Sequence, residues 1–263
     1  MNIITYEDAN NLPLPAYVIQ SLRDRAELAH IRHLEALTYI ILNYPSGPKN
    51  IHPVCVATDG ETYNLYAHTS VLLNDDTDAY SFTDLIIQTL RNYETLIKYI
   101  NAELNHYEEL MDRGITKENI RHLFSINRQL IQYQTAINAI GDVTAYIRDQ
   151  KPSHLWSDEN ASEYANIRIE INQLDQNIEM YQQIIESIVS VSDSLFSNKL
   201  NITMKRLTSI TLVLSIPTLI TSFYGMNIDL PFQDHPYSLA IVFVISTLLT
   251  IATVAYLYRK DFF

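Results

Sequence analysis

The sequence predicts an α+β membrane protein: a small mixed α/β N-terminal unit, a set of long helices and two C-terminal transmembrane helices. Three observations carry this reading. The chain of 263 residues is 47% hydrophobic and 18% charged, ordinary for a folded protein, yet 207–258 holds only Asp229, Asp234 and His235 as titratable side chains apart from its tyrosines. Before residue 82 the pattern is short-ranged, with β-rich runs broken by Pro and Gly. Beyond it, apolar residues recur at steps of three and four over long stretches.

Within the first unit, Pro13 and Pro15 introduce a short helix over 16–28. The β-rich run 37–43 is ended by Pro45, Gly47 and Pro48. Two further strands, 54–57 and 63–67, flank Asp59-Gly60, a strong hairpin signal. A sheet of three or four strands is therefore expected, too small to stand alone and covered on one face by the helices that follow.

Ser81 and Asp84 open the first long helix as a variant capping box, and its stripe runs Phe82, Ile86, Leu90, Tyr93, Ile97, Ile100, Leu104, Tyr107 until Gly114 stops it. Thr116 caps a second, striped by Leu123, Ile126, Leu130, Tyr133, Ile137 and Ile140 and ended near Pro152, so the two helices pack back to back. A third begins near Ser157 with the line Ile167, Ile171, Leu174, Ile178, Tyr181, Ile185, Ile188. Pro217 is the only breaker before Phe223. One helix of roughly 65 residues, on the order of 100 Å, is expected to run on through a bilayer, where an internal proline is tolerated.

The apolar part of that helix carries Thr208, Thr211, Ser215, Thr218 and Ser222 at helical spacing. Such a stripe wants water. A lone membrane helix offers it none, whereas several copies around an axis would turn it inward. Below it, Ser187, Ser190, Ser194, Ser197, Asn201 and Met204 extend the seam by the same steps. Small residues also permit close helix packing, and continuity of the seam across the membrane boundary is what favours a conduit. The spans read as 207–223 and 239–258. Tyr224 and Tyr237 suit one interface, Tyr256 and Tyr258 the other. Lys199, Lys205 and Arg206 precede the first span, Arg259 and Lys260 follow the second, and the loop between has no Lys or Arg, so both termini are expected to be cytoplasmic, in a cell inner or plasma membrane. The chain thus divides into a small α/β cytosolic domain at 1–81, a cytosolic helical region at 82–203 with the lower part of the pore helix, a transmembrane domain at 204–258 with its outer loop at 224–238, and a basic tail at 259–263.

The net charge of −12 and pI near 5.0 argue against nucleic acid as a partner, since phosphate binding needs clustered Lys and Arg, and are compatible with handling cations. The single Cys55 excludes an intrachain disulfide and a thiolate-rich zinc site, and is expected to be a buried apolar residue. The start Met-Asn-Ile-Ile-Thr-Tyr lacks a basic region and apolar core, so no cleavable signal is expected. His30, His33, His52, His68, His106, His122 and His154 lack metal-ligand spacing, and His235 falls in the loop. No nucleophile elbow, Walker loop or helical His-Glu-x-x-His occurs, so no enzyme activity and no cofactor are expected.

Gly225-Met226-Asn227, preceded by Tyr224 and set between the two C-terminal spans, resembles the signature of the CorA family of divalent-cation channels. The likeness continues through Ser197 to Asn201, Met204 to Thr208 and Arg259 to Phe263. What the resemblance implies is a funnel-shaped homopentamer in the lipid bilayer, its first span lining the pore and its second facing lipid, passing hydrated Mg²⁺ and often Co²⁺ or Ni²⁺, with Mg²⁺ also a possible regulator. It implies a selectivity ring at Tyr224, Gly225, Met226 and Asn227, with Asn227 and the Gly225 backbone holding the hydrated ion. Met204 and Leu207 would form the hydrophobic gate, Asn201, Thr208, Thr211, Ser215, Thr218 and Ser222 would line the conduit, and Asp229 with Asp234 would make an acidic outer loop. The chain departs from better-known members in carrying Asn166 where they have a Mg²⁺-sensing Asp, and in its shorter N-terminal domain, so the regulatory metal site stays open; Asp158, Glu159, Glu163 and Glu170 lie nearby. A related zinc transporter of ZntB type, and a membrane-anchored scaffold without flux, are the alternatives.

Overall fold

The computed structural model describes every residue except 35–36, 49, 72–80, 112–114, 228, 232–235 and 261–263. It bears out the class: an α/β sheet unit at the N-terminus, a very long helix, and two C-terminal helices apolar enough to cross a membrane. The chain forms two compact units, Met1–Val189 and Ser190–Phe263.

In the first unit the sheet has five strands in the order β1-β5-β4-β3-β2: β1 (Asn2–Tyr6), β2 (His30–Leu34), β3 (Leu37–Gly47), β4 (Asn50–Thr58) and β5 (Tyr63–His68). The expected three or four strands are corrected to five. Both extra strands lie at the edges: β1 pairs parallel to β5 and β2 antiparallel to β3. Their alternation is weak because they are exposed over most of their length, which removes the hydrophobic signal that marks a strand. β3 also continues through Pro45 instead of ending there. Over 43–47 it pairs with β4 alone, since β2 reaches no further than Ile41, and on such a one-sided stretch a missing N–H is tolerated.

The Asp59-Gly60 turn forms as expected. The Asp59 carboxylate accepts from the Glu61 and Thr62 amides at 3.0 and 2.7 Å, while Gly60 takes φ +99°, a value that favours glycine. Helix α1 (Ala16–Arg23) is shorter than its expected 16–28, because the Asp24 side chain accepts from the Ala26 amide at 2.9 Å and turns the chain out of the helix.

The sheet's two faces follow strand alternation. Tyr39, Ile41, Cys55, Ala57 and Tyr66 pack under Val18 and Leu22 of α1. Ile40, Leu42, Tyr44, Val54, Val56 and Leu65 face the main core with the long helices α2 (Phe82–Met111), α3 (Lys117–Gln150) and the first part of α4 (Ala161–Tyr224). The expected stripes are the buried ones, except that Tyr107 is half-buried. Each fully buried Leu or Ile contributes about 1.5–3 kcal/mol, and the Tyr93 and Tyr133 hydroxyls donate to the carbonyls of Asn43 and Pro48, fastening α2 and α3 to the sheet.

The caps are side-chain devices. The Ser81 amide donates to the Asp84 carboxylate at 3.1 Å, and Thr116 Oγ1 accepts from the Asn119 amide at 3.2 Å. Helix α4 starts at Ala161, four residues after the expected Ser157, because Ser157 and Asn160 bond each other's amides in a preceding turn. Thr83 Oγ1 bonds Glu163 and so ties the starts of α2 and α4 together. The expected stop at Gly114 falls outside the described residues.

Cys55 is fully buried, and burial pushes its thiol up to about 12. Only the unfolded chain ionises it as the pH rises through the ordinary thiol range, so its contribution to stability is full below that range and is lost progressively as the pH rises from there to about 12. At pH 8 the folded protein should therefore resist iodoacetamide. Labelling of the native chain at the rate of the urea-unfolded chain would show the thiol to be accessible.

Candidate functional site

In the second unit an apolar helix carries polar side chains, and the first question is which face the chain itself covers. Here α4 is joined by α5 (Ser238–Arg259). The most apolar windows of the two helices have mean hydropathy 1.5 and 2.3 and are almost wholly uncovered by the rest of the chain, unlike a core helix of a soluble protein. On α4, Ser209 is fully buried, while Val213, Ile216, Pro217, Ile220 and Tyr224 are half-buried. On α5, Ser246 and Leu257 are buried, with Val242, Thr250 and Thr253 half-buried between and beside them. These steps of three and four mark one covered line along each helix.

The hydroxyl stripe is elsewhere. Thr208, Thr211, Ser215, Thr218 and Ser222 are all exposed. At about 100° per residue they lie roughly 180° around α4 from the covered line. Where hydroxyl bonds are formed they run back along the helix: Thr211 donates to the Leu207 carbonyl at 2.9 Å, Ser215 to Thr211 at 2.7 Å and Thr218 to Leu214 at 2.8 Å. The proton is thus turned inward, and the oxygen lone pairs remain as outward acceptors. The α5 residues Thr247, Thr250 and Thr253 bond in the same way, so back-bonding alone does not distinguish a lining helix. Position does: Thr250 and Thr253 lie on the covered line of α5 and Thr247 is a single exposed hydroxyl off it, whereas the α4 stripe leaves five in a row open.

Further along α4, Ser190, Ser194, Ser197 and Asn201 are also exposed. Met204 and Leu207 are 53% and 58% exposed, Met204 in line with the stripe and Leu207 at its flank. Pro217 sits within the unbroken helix. The Thr221 hydroxyl bonds the Pro217 carbonyl at 3.0 Å.

The helix ends at Tyr224. The Gly225 amide closes the last turn on Thr221 and Ser222, and the Met226 amide bonds the Phe223 carbonyl. The Tyr224 hydroxyl donates to the Pro231 carbonyl at 3.1 Å, pinning the following loop. Gly225, Met226, Asn227 and Asp229 are exposed. A Cβ on Gly225 would meet its nearest atom, the Thr221 carbonyl oxygen, at 3.4 Å, an ordinary contact. Among the described residues nothing therefore demands glycine there. Asp234, His235 and the tail beyond Lys260 fall outside the described residues.

Asn166 is exposed and shares a cleft with Glu94 of α2 and Glu170. Burial raises the Glu170 carboxyl, with Arg91 opposing and Glu94 reinforcing. Among the described residues no group of three His, Cys, Asp or Glu side chains is arranged to hold a metal ion. Two histidines that spacing alone kept apart do meet, since β4 and β5 bring His52 and His68 into a parallel stack with centroids 5.3 Å apart. Strand pairing, which no local pattern shows, is the signal that sequence reading lacked.

The family model described as CorA-like Mg²⁺ transporter protein matches residues 65–259. Two curated relatives are both called cobalt/magnesium transport protein CorA. One, from Methanocaldococcus jannaschii, is 23% identical over 178 residues, 67% of this chain and 56% of the relative. The other, from Thermotoga maritima, is 25% identical over 183 residues, 69% of this chain and 51% of the relative. The chain thus spans about half the length of the curated relatives it matches. Among solved structures, the complete CorA magnesium transporter of Methanocaldococcus jannaschii superposes with a TM-score of 0.80 at 17% identity, over 98% of this chain and 90% of that one.

The covered line and the open stripe make different demands on substitution. Ser209→Leu, which overfills a site with no exposed surface, should destabilise by about 1–3 kcal/mol, whereas Leu214→Ala, at a site 64% exposed, should change little. Thermal melts in detergent that rank the two the other way would misplace the contact.

Proposed function

The chain belongs to the CorA-like Mg²⁺ transporter family, and on that premise we propose that it passes hydrated divalent cations, Mg²⁺ foremost and Co²⁺ or Ni²⁺ besides, through an axis formed by several copies of α4. The observation that carries the reading is the open stripe from Thr208 to Ser222, opposite the face that the chain covers. Five copies around an axis would give each stripe the water it needs while α5 meets lipid. The copies would form a homopentamer, and the two spans, 207–223 and 239–258, would leave both termini in the cytoplasm, following the Lys and Arg that flank them. Residues 1–81 and 82–203 would then lie in the cytosol, with 259–263 as their basic companion.

The chemistry suits a hydrated ion. Mg²⁺ gives up water reluctantly and prefers octahedral oxygen. A ring of Asn227 amides with Gly225 carbonyls, flanked by Tyr224 and Met226, would accept hydrogen bonds from its first-shell water and leave the shell intact. Such a ring is uncharged, so it also lets the ion go. Five carboxylates at the same point would hold a divalent cation too tightly for conduction. The tolerance of a Cβ at Gly225 within one chain suits a glycine needed where copies and ion crowd together. Asp229, exposed just beyond, would concentrate cations at the mouth. Beneath it, outward oxygen lone pairs on Thr211, Ser215 and Thr218 would offer weak successive sites down to Asn201. Met204 and Leu207 interrupt this acceptor path with apolar surface, where dewetting closes a pore. The membrane potential supplies the drive: about 4.6 kcal/mol for a divalent ion crossing 100 mV, twice the value per unit charge.

Mg²⁺ uptake into proteoliposomes under an inside-negative potential tests the reading. Asn227→Ala should abolish most uptake, while Met204→Ser and Leu207→Ser should raise leak. Uptake unaffected by Asn227→Ala would sink the proposal. Zn²⁺ flux insensitive to cobalt hexammine, with no Mg²⁺ flux, would assign a zinc transporter instead, and a monomer without flux would assign a scaffold.

A further inference from the structure

Far along the chain from the transmembrane helices, at the carboxyl ends of the parallel pair β1 and β5, the first unit has a cleft of about 210 Å³. Carboxyl ends of strands are where α/β sheets most often receive ligands. The cleft falls below the roughly 300–1,000 Å³ that encloses a drug-sized molecule, so its occupant is small.

His52, only 7% exposed, and His68 stack with their planes 4° apart. Ser70 Oγ lies 2.7 Å from His68 Nδ1 and 3.1 Å from His52 Nε2, and the Ser70 amide donates to His68 Nδ1 at 3.1 Å. An Nδ1 that accepts from a backbone amide carries no proton, which assigns the ring proton of neutral His68 to Nε2. His52 Nε2 then donates to the Ser70 hydroxyl, and the hydroxyl in turn donates to His68 Nδ1, sharing its one lone pair with the Ser70 amide. His68 also lines the cleft, and its Nε2–H is not used by this network.

Arg25 stands beside this pair. Among the described residues it makes no ion pair, in a chain with 30 acidic side chains against 18 basic ones. Burial, then the Arg25 charge, then His68 discourage His52 from protonating, as expected where positive groups crowd without a counter-ion. The second arginine is engaged elsewhere: Arg23 reaches Asn10 Oδ1 at 3.5 Å. Two carboxylates also line the cleft and oppose an anion: Asp8, kept ionised by the Asn10 amide and side chain, both within 3.0 Å, and Glu7, for which no such partner is found among the described residues.

We propose that this cleft binds a small oxyanion of the phosphate class, held by the Arg25 guanidinium and the His68 ring N–H against the His52–Ser70 cluster. A guanidinium and a ring N–H lining one cleft are two donors that can serve two oxygens of one tetrahedral anion. A cation is disfavoured at the same point, because Arg25 repels it and both imidazole nitrogens that converge on Ser70 are already bonded. The site is independent of the ion path, and its occupant is either free phosphate or the phosphoryl group of a soluble metabolite.

Calorimetric titration of inorganic phosphate into the full chain in detergent, at constant ionic strength with chloride as control, tests this. One phosphate per chain is expected, weakened about tenfold by Arg25→Ala, which removes a charge-assisted hydrogen bond from an exposed turn. Glu7→Gln should tighten binding several-fold, a gain that a merely structural role for this rim would not produce. Displacement of phosphate by ADP would make the source a phosphorylated metabolite, and failure of ADP to compete would make it the free ion. No saturable binding, or an affinity indifferent to Arg25→Ala in a variant with an unchanged thermal midpoint, would overturn the site.

Discussion

The constraint on which the rest depends is that an apolar helix carries hydroxyl groups on a face its own chain leaves open. Thr208, Thr211, Ser215, Thr218 and Ser222 lie about half a turn from the line where Ser209 is buried. In hydrocarbon a hydroxyl needs a partner, and bonds to carbonyls one turn back supply one at Thr211, Ser215 and Thr218. Those bonds use the proton and spare the lone pairs. The face that results is a column of acceptors, suited to the water around a cation and wasted on lipid tails.

The two ends of the column differ in chemistry. Beyond Ser222 the helix closes on Gly225, and the Tyr224–Pro231 bond holds the chain where Asn227 is exposed. Toward the N-terminal side, Met204 and Leu207 present carbon where the stripe presents oxygen. A polar turn, a polar column and an apolar interruption follow one another along one helix and the turn after it, so the proposed path calls for further copies of the chain and not for further elements of it.

The helices were legible because their burial has a local period. Phe82 to Leu104, Leu123 to Ile140 and Ile167 to Ile188 recur by threes and fours, and each residue named in those stripes is buried. Caps at Ser81 and Thr116 were legible because side chains three residues apart satisfy the first amides. The edge strands β1 and β2 were not, since exposure leaves no alternation to read. Nor was the meeting of His52 with His68, which depends on the β4–β5 register. The hydroxyl stripe of the candidate site was plain in the spacing, but which face of α4 stays uncovered required the burial of Ser209 and Ser246.

On the proposed function this stripe faces water inside the membrane. Single cysteines placed at Thr211, Ser215, Thr218 and Ser222, and for comparison at Leu212 and Leu219, test it directly, with the buried Cys55 as a silent background. Membrane-reconstituted variants are treated with a charged, impermeant thiol reagent, with and without cobalt hexammine. Rapid modification is expected at the four hydroxyl positions, slowed by the trivalent ion, and little at the two leucines. Equal rates at all six, or faster reaction at the leucines, would contradict it.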